Sequence, residues 1–217
     1  MSRESYSRSE AYIVQNFAVE DVILKAVSDR LRKDGKYGIN VSPVEGKFLQ
    51  WLVGLVAPKI VVEIGTLYGY STIWMARALP PQSKMISIEF DPKHAEIARE
   101  HVRMSGLNDR VEVRQGDAKA IVKNLNVRPD MIFIDADKPG YKQYLDWAMV
   151  AIRVGGLIIG DNTFLFGHLI GEERGEKTSA AAIESMRSFN ETLAQSQNFR
   201  STMIPTYEGM TVAQRIS

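Results

Sequence analysis

Hydrophobic positions along the chain change period several times, and each change marks an element. From Ser9 to Lys33 the spacing is helical, with Val19, Val22, Ile23, Ala26, Val27 and Leu31 on the repeat. The pattern breaks near residues 16–18 and stops at Gly35. Ser42-Pro43-Val44-Glu45 is a helix start: serine caps, proline takes the first helical position, and glutamate reaches back to the cap. That helix runs to about Val56, before the break at Pro58. Ile60 to Ile64 is an apolar run that stops at Gly65. Gly65 and Gly69 bracket a short turn, and a helical pattern follows from near Ser71 to Leu79. This strand, glycine turn and helix organise the rest of the chain, and glycine there lets the backbone take unusual φ and lets a ligand approach.

The alternation continues. Lys84 to Ile88 reads as a second strand closing on Glu89, with Asp91-Pro92 opening a helix to Ser105. Arg110 to Arg114 is a short third strand, followed by Gly116-Asp117-Ala118. Met131 to Ile134 is a fourth strand ending in Asp135, and Lys142 to Ile152 a helix. Gly155-Gly156 turns into a fifth strand, Leu157 to Ile159, that ends at Asp161-Asn162. A helix from 178 to about 195 precedes two strands, Phe199 to Ile204 and Thr211 to Ile216, joined by a turn at Tyr207-Glu208-Gly209. Alternation closed by a terminal hairpin predicts an α/β fold, a mostly parallel sheet with an antiparallel member. The segment before the first strand lies outside this alternation. It reads as a covering helix, as a dimer surface or as a lid over a substrate.

Composition narrows the class. The 217 residues suit one domain with a sizeable core. A formal net charge of +1, with 24% charged residues, offers no bulk basic surface for nucleic acid or a membrane. The chain has no cysteine, which excludes a disulfide framework, a thiolate metal site and a cysteine nucleophile. Its start is polar without an apolar signal region, and no apolar run reaches transmembrane length. The expectation is a soluble, cytoplasmic protein of one domain over 1–217, with 1–40 a helical cap and 41–217 the core.

In such a sheet the chemistry gathers at the carboxyl ends of the strands. The spacing Glu63-x-Gly65-x-x-x-Gly69 is not the dinucleotide fingerprint, and no Gly-Lys-Ser/Thr follows to make a P-loop. A carboxylate at this place repels a pyrophosphate but suits a ligand with an ammonium group. S-adenosylmethionine, with an amino-acid end, a sulfonium and no phosphate, fits; so does a purely structural turn with an incidental glutamate. Glu89, roughly 20 residues after the turn, is placed to accept from ribose hydroxyls. Asp117 or the Ala118 N–H falls beside an adenine, and Val41 lies near the methionine end.

Asp135, Asp161 and Asn162 are hard oxygen ligands that suit Mg²⁺ and not zinc. Mg²⁺ takes about six ligands, so three from protein leave places for two adjacent substrate hydroxyls and a water. Acids ending strands also cap helices and bind ribose. A lysine beside a cation loses its proton more readily, so Lys138 reads as a candidate general base; on the residues alone it reads more readily as a solvated lysine paired with Asp137. His94 and His101 read as surface, and His168 as a candidate substrate contact. Residues 164–177, with Gly167, Gly171 and Gly175, read as a mobile lid or as ordinary surface. Tyr68, Tyr70, Tyr141, Trp147 and Phe164 read as an aromatic pocket or as core.

Taken in order, these stretches resemble a known family. They are Ser-Pro-x-x-Gly at 42–46, Val-Glu-Ile-Gly-Thr-x-x-Gly-Tyr-Ser at 62–71, Glu89 and Gly116-Asp117-Ala118. They continue with Phe-Ile-Asp-Ala-Asp-Lys at 133–138, Tyr141, and Val-Gly-Gly from 154 on to Asp161-Asn162-Thr163. Together, over roughly residues 40–217, they resemble the cation-dependent class I O-methyltransferases that include catechol O-methyltransferase and the caffeoyl-coenzyme A O-methyltransferases. The resemblance implies a Rossmann-like seven-stranded, mostly parallel sheet with helices on both faces and an antiparallel C-terminal strand. It implies S-adenosylmethionine held by Val41, Glu63, Gly65, Thr66, Ser71, Glu89, Ala118 and Asp135. It implies a divalent cation, Mg²⁺ with Ca²⁺ or Mn²⁺ as alternatives, on Asp135, Asp161 and Asn162, and catalysis by Lys138 as base with Asp135. The implied acceptor is a hydroxyl of a small catechol-type aromatic; with the amino-terminal helices the resemblance implies a homodimer, and the near-neutral charge sets the expectation of no nucleic-acid or membrane partner. Tyr207-Glu208-Gly209 departs from the Gly-Asp-Gly of many relatives.

Two other functions remain: another S-adenosylmethionine methyltransferase, acting on nitrogen of a small molecule or macromolecule, and a non-catalytic cofactor-binding module. The Asp-Ala-Asp-Lys at 135–138 lacks the Asn/Asp-Pro-Pro-aromatic pattern of amino-methylating enzymes. A binding module needs neither Lys138 nor the oxygen trio.

Overall fold

The computed structural model describes residues 7–174 and 177–217. Helices α1 (Arg8–Asn16), α2 (Val22–Lys33) and α3 (Pro43–Val56) precede the first strand. Then come β1 (Ile60–Ile64), α4 (Tyr70–Ala76), β2 (Lys84–Glu89), α5 (Pro92–Met104) and β3 (Val111–Gln115). They are followed by α6 (Ala118–Lys123), β4 (Met131–Ile134), a 3₁₀ turn (Lys138–Gly140), α7 (Tyr141–Ala151) and β5 (Leu157–Asp161). The chain closes with α8 (Ala180–Gln195), β6 (Phe199–Ile204) and β7 (Met210–Arg215).

The sheet is seven-stranded, in the order β3-β2-β1-β4-β5-β7-β6. Strand order reverses between β1 and β4, the position where ligands bind outside the carboxyl ends in open α/β sheets. β4 runs parallel to β1 and β5, while β7 is antiparallel to both β5 and β6. β7 therefore runs against both of its neighbours, as a terminal hairpin added to a parallel sheet requires. Parallel strands are covered on both faces and read as continuous apolar runs; every residue of β4 and β5 is buried.

Contacts group the described residues into two compact units. One takes the chain up to Lys59 together with Thr66–Gly116; the other takes Ile60–Gly65 and Asp117–Ser217.

In the first unit the helix starts are set locally. Ser7 with Glu10 and Ser42 with Glu45 both form complete capping boxes, and Pro43 occupies the first turn of α3. Each cap contributes about 1 kcal/mol. Asp21 and Asp91 cap α2 and α5 by accepting backbone N–H bonds. Leu24, Val27 and Leu31 give α2 one buried stripe at helical spacing. β2 and β3 pair in parallel, Ser87 opposite Val113.

In the second unit, β1, β4 and β5 hold register from Val61↔Met131 and Met131↔Leu157. Asp130 anchors their amino ends, accepting from Ile60 N at 2.8 Å and from the Arg153 guanidinium. Helix α6 and the 3₁₀ turn have no counterpart in the hydrophobic pattern, because both are too short to show a period.

Candidate active site

Asp135, Lys138, Asp161 and Asn162 all fall in the second unit. Asp135 follows the last residue of β4, Asp161 is the last residue of β5, and Asn162 comes next. Lys138 stands between them. Its Nζ donates to Asn162 Oδ1 at 2.7 Å, to Tyr141 Oη at 3.0 Å and to Asp135 Oδ1 at 3.2 Å. The solvated pairing of Lys138 with Asp137 is thereby excluded. Asp137 instead accepts from the Tyr144 hydroxyl and faces Lys119 at 3.6 Å. Burial, then the hydrogen bond to Asp137, raises the Tyr144 phenol far above its ordinary range, so it acts only as a donor to that carboxylate.

Tyr141 is fully buried and packs edge-on against Phe189, ring centroids 5.3 Å apart. Its hydroxyl lies 2.7 Å from the Asp161 carbonyl oxygen and 2.9 Å from that of Ile134. Burial first, then the charges of Asp135 and Asp161, holds this phenol well above the ordinary range. It stays neutral.

Asn162 has φ 54°, a left-handed conformation that asparagine adopts more readily than most residues. The backbone beyond it is clamped. Thr163 N donates to Gly209 O at 3.0 Å. Asn190 donates to Thr163 O at 2.8 Å and accepts from the Thr211 hydroxyl at 2.9 Å. Asn190 was not legible in the sequence, since nothing local links it to residue 163. Residues 163–171 form consecutive turns, with Leu165 buried; beyond them Arg174 is bonded to Tyr207 O and stacked on the Tyr207 ring at 4.7 Å. Phe164 lies against Gly209, so part of the expected aromatic pocket is packing at the hairpin turn. His168 faces Glu173 at 3.6 Å. Gly175, counted in the glycine-rich segment, lies outside the described residues.

Gly65 has φ 99°, and a Cβ there would stand 1.8 Å from the Asp135 carbonyl oxygen. The close approach that requires this glycine is made by the backbone of Asp135, which also donates to Ile64 O at 2.8 Å. Glu63 is buried within β1, opposite Phe133. Ala118 opens α6, capped by Asp117, which accepts from Lys119 N at 3.0 Å.

Could Asp135, Asp161 and Asn162 hold a metal? Two carboxylates and an amide oxygen are a hard donor set, and the Lys138 ammonium rests on two of those oxygens as a cation would. Among the described residues no group of three His, Cys, Asp or Glu side chains is arranged for a metal, so the set needs the Asn162 amide. The residues fit a divalent cation.

The first unit holds the other predicted residues. Glu89 is nearly buried and accepts from Leu67 N at 2.7 Å and Asp91 N at 2.9 Å, one bond on each oxygen. Each oxygen keeps a lone pair for a hydroxyl donor. Thr66 shares a short hydrogen bond with the Ser87 hydroxyl, so its side chain is engaged within the unit. Ser71 is buried in α4. Val41 lines a small pocket with Tyr37, Asn40, Ser42 and Tyr70. The glycine turn is tied to the helices before it: Tyr68 donates to Asp34 at 2.8 Å and Tyr70 to Glu20 at 2.7 Å.

The surface placement of the two α5 histidines is overturned. His101 is 6% exposed, and its Nδ1 is 2.8 Å from Tyr68 O. His94 stands edge-on to Tyr68, with Nδ1 3.6 Å from Glu89 Oε1. Both face the turn because α5 packs on β2 and β3 with the side that carries Ala95 and Ala98.

Comparison with known proteins gives one consistent answer. A family model described as O-methyltransferase matches residues 15–216. The chain is 39% identical to the catechol O-methyltransferase of Niastella koreensis, covering 98% of this chain and 99% of that one. Among solved structures it is similar to the O-methyltransferase TomG from Streptomyces achromogenes in complex with SAM. That match has TM-score 0.90, 31% identity and full coverage of both chains. The O-methyltransferase from Bacillus cereus in complex with SAH is similar at TM-score 0.88 and 34% identity, covering 97% of this chain and 98% of that one.

Proposed function

The chain belongs to the O-methyltransferase family, enzymes that use S-adenosylmethionine, and from that premise we propose a divalent-cation-dependent transfer of methyl to a hydroxyl of a small catechol-type aromatic. One observation carries the finer reading: a lysine nitrogen seated on Asp135 and Asn162 at the carboxyl ends of two neighbouring strands. That combination of oxygen donors and base is what deprotonation of a vicinal diol needs.

The proposed roles divide by residue. Val41, Glu63, Gly65, Thr66, Ser71, Glu89, Ala118 and Asp135 contact S-adenosylmethionine. Glu89 accepts from the ribose hydroxyls through the lone pairs its backbone bonds leave free. Asp135, Asp161 and Asn162 hold the divalent cation, most simply Mg²⁺, which when bound supplies Lewis acidity to an adjacent hydroxyl. Lys138 takes the proton from the attacking hydroxyl and keeps it on Nζ as the oxygen gains the methyl group and the donor leaves as a thioether. Orientation of the two bound reactants supplies much of the rate. The 39% identical catechol O-methyltransferase supports the acceptor class. We also read the chain as a single-domain cytoplasmic homodimer without nucleic-acid or membrane partners; no described helix is long and apolar enough to cross a membrane.

The test is methyl transfer from labelled S-adenosylmethionine to a panel of catechols, with Mg²⁺ and with excess EDTA. Methylation abolished by EDTA and restored by Mg²⁺ is expected. Methylation indifferent to EDTA would remove the cation from the chemistry.

A further inference from the structure

We propose that Tyr141 is a positioning residue for Lys138, its hydroxyl oxygen fixing the direction in which the lysine nitrogen presents its lone pair to the substrate. This rests on the reading of Lys138 as general base. The Tyr141 phenol carries a single proton. It points at two carbonyl oxygens, those of Ile134 and Asp161, at 2.9 and 2.7 Å. With the proton committed there, the side of the oxygen facing Lys138 at 3.0 Å can only accept. The phenol is fully buried, so solvent does not reach its oxygen.

Lys138 has three polar partners, and they differ in kind. Asp135 Oδ1 and Asn162 Oδ1 belong to the oxygen set that suits a cation. Tyr141 does not. Its oxygen accepts one N–H whether the nitrogen is an ammonium or an amine, so it is the partner that persists through a proton transfer. A neutral amine has two N–H bonds and one lone pair; fixing one N–H limits where the lone pair aims. The lysine stem is otherwise flexible, with four carbons between backbone and nitrogen. The two carbonyls that hold the phenol end β4 and β5, the strands that carry Asp135 and Asp161. The same bonds that place the oxygen donors therefore place the base.

A double-mutant cycle tests this, with turnover measured against the preferred catechol. Tyr141→Phe keeps the ring and its packing on Phe189 but removes the oxygen. In the wild-type background it should lower kcat about tenfold or more, with both KM values and the dissociation constant of S-adenosylmethionine changed less than about twofold. In the Lys138→Met background the same substitution should cost nothing further. Equal losses in both backgrounds, or an unchanged kcat, overturns the positioning role. Undiminished turnover in Lys138→Met alone overturns the base reading instead. A second variant, 3-fluorotyrosine at position 141, makes the hydroxyl a better donor and a poorer acceptor. Lower kcat with unchanged or raised melting temperature is expected; unchanged kcat with raised melting temperature would assign the hydroxyl to the carbonyls alone and overturn the proposal.

Discussion

The ammonium of Lys138 lies 2.7 Å from the amide oxygen of Asn162, a residue 24 positions away in the chain. The contact joins the turn after β4 to the end of β5. It puts a positive charge on an oxygen set that contains two carboxylates, Asp135 and Asp161. Replacing Asp161 by alanine should weaken Mn²⁺ binding by about one to two orders of magnitude, because a hard cation loses one of its anionic oxygens. Paramagnetic Mn²⁺ titration followed by electron spin resonance reads this directly. Undiminished affinity in Asp161→Ala would place the cation elsewhere.

The proposed base, Lys138, makes a separable prediction. Lys138→Met preserves the length of the side chain and removes the proton acceptor. Turnover should fall about 10²- to 10⁴-fold, the usual range for a general base, while S-adenosylmethionine binds with unchanged affinity. Isothermal titration with the donor and a steady-state assay on the same preparation separate the two effects. A loss of donor affinity that matched the loss of turnover would make Lys138 a binding residue.

Much of this arrangement was legible in the sequence, for a physical reason. Buried parallel strands leave continuous apolar runs, and the residue that closes each run falls at the carboxyl end of the sheet, where the structure places Glu89, Asp135 and Asp161. Ser42 and Glu45 form a capping box by local geometry alone, so their spacing sufficed. Contacts made across long separations left no such trace. Asn190 clamps Thr163 from 27 residues away, and His101 bonds Tyr68 from 33 away. The histidines read as exposed because polar residues surround them in α5, yet the His101 ring nitrogen lies 2.8 Å from Tyr68 O in the glycine turn and His94 stands edge-on to the Tyr68 ring. At Gly65 the sequence pointed to a ligand's approach, whereas the atom that excludes a side chain is the Asp135 carbonyl oxygen.

That last contact gives a substitution that acts through the backbone alone. Gly65→Ala would place Cβ 1.8 Å from Asp135 O, at φ 99°, where alanine is strained in any case. Backbone must move, and the backbone nearest is that of Asp135. The expected cost is about 2 kcal/mol or more of stability, together with weakened Mn²⁺ binding. Urea unfolding and Mn²⁺ titration check the two halves. Normal Mn²⁺ affinity in a folded Gly65→Ala protein would show that Asp135 tolerates the shift.

Asp130 supports the opposite ends of the same strands. It is 6% exposed and serves the Ile60 N–H and the Arg153 guanidinium at once. Asp130→Ala leaves the β1 amide without its acceptor, while Arg153, partly exposed, can rehydrate. A loss of about 2–3 kcal/mol follows from these terms. Asp130→Asn retains one acceptor oxygen and should lose less. Urea denaturation of the three proteins decides it, and equal stability for Ala and wild type would mean that the strand start is held by other bonds.

Tyr68 predicts an alkaline limb in the stability profile. The side chain is 2% exposed and donates to Asp34 at 2.8 Å. Burial, then that hydrogen bond, raises the phenol from 10.0 to about 12. In the unfolded chain the proton leaves near the lower value; in the folded protein it stays until the higher one. Across that window the folded state binds more protons than the unfolded state, so stability falls as pH rises. Below the window the contribution of Tyr68 is fully present, and above it the contribution is gone. Tyr68→Phe has no proton to lose at this position. It should be less stable than wild type at neutral pH, where the bond to Asp34 is missing, and the difference should shrink as pH climbs from 10.0 to about 12. Urea unfolding of both proteins across that range measures the gap. A gap that stayed constant through the window would show that the Tyr68 proton is lost as easily folded as unfolded, and that the tie between the glycine turn and Asp34 does not hold it.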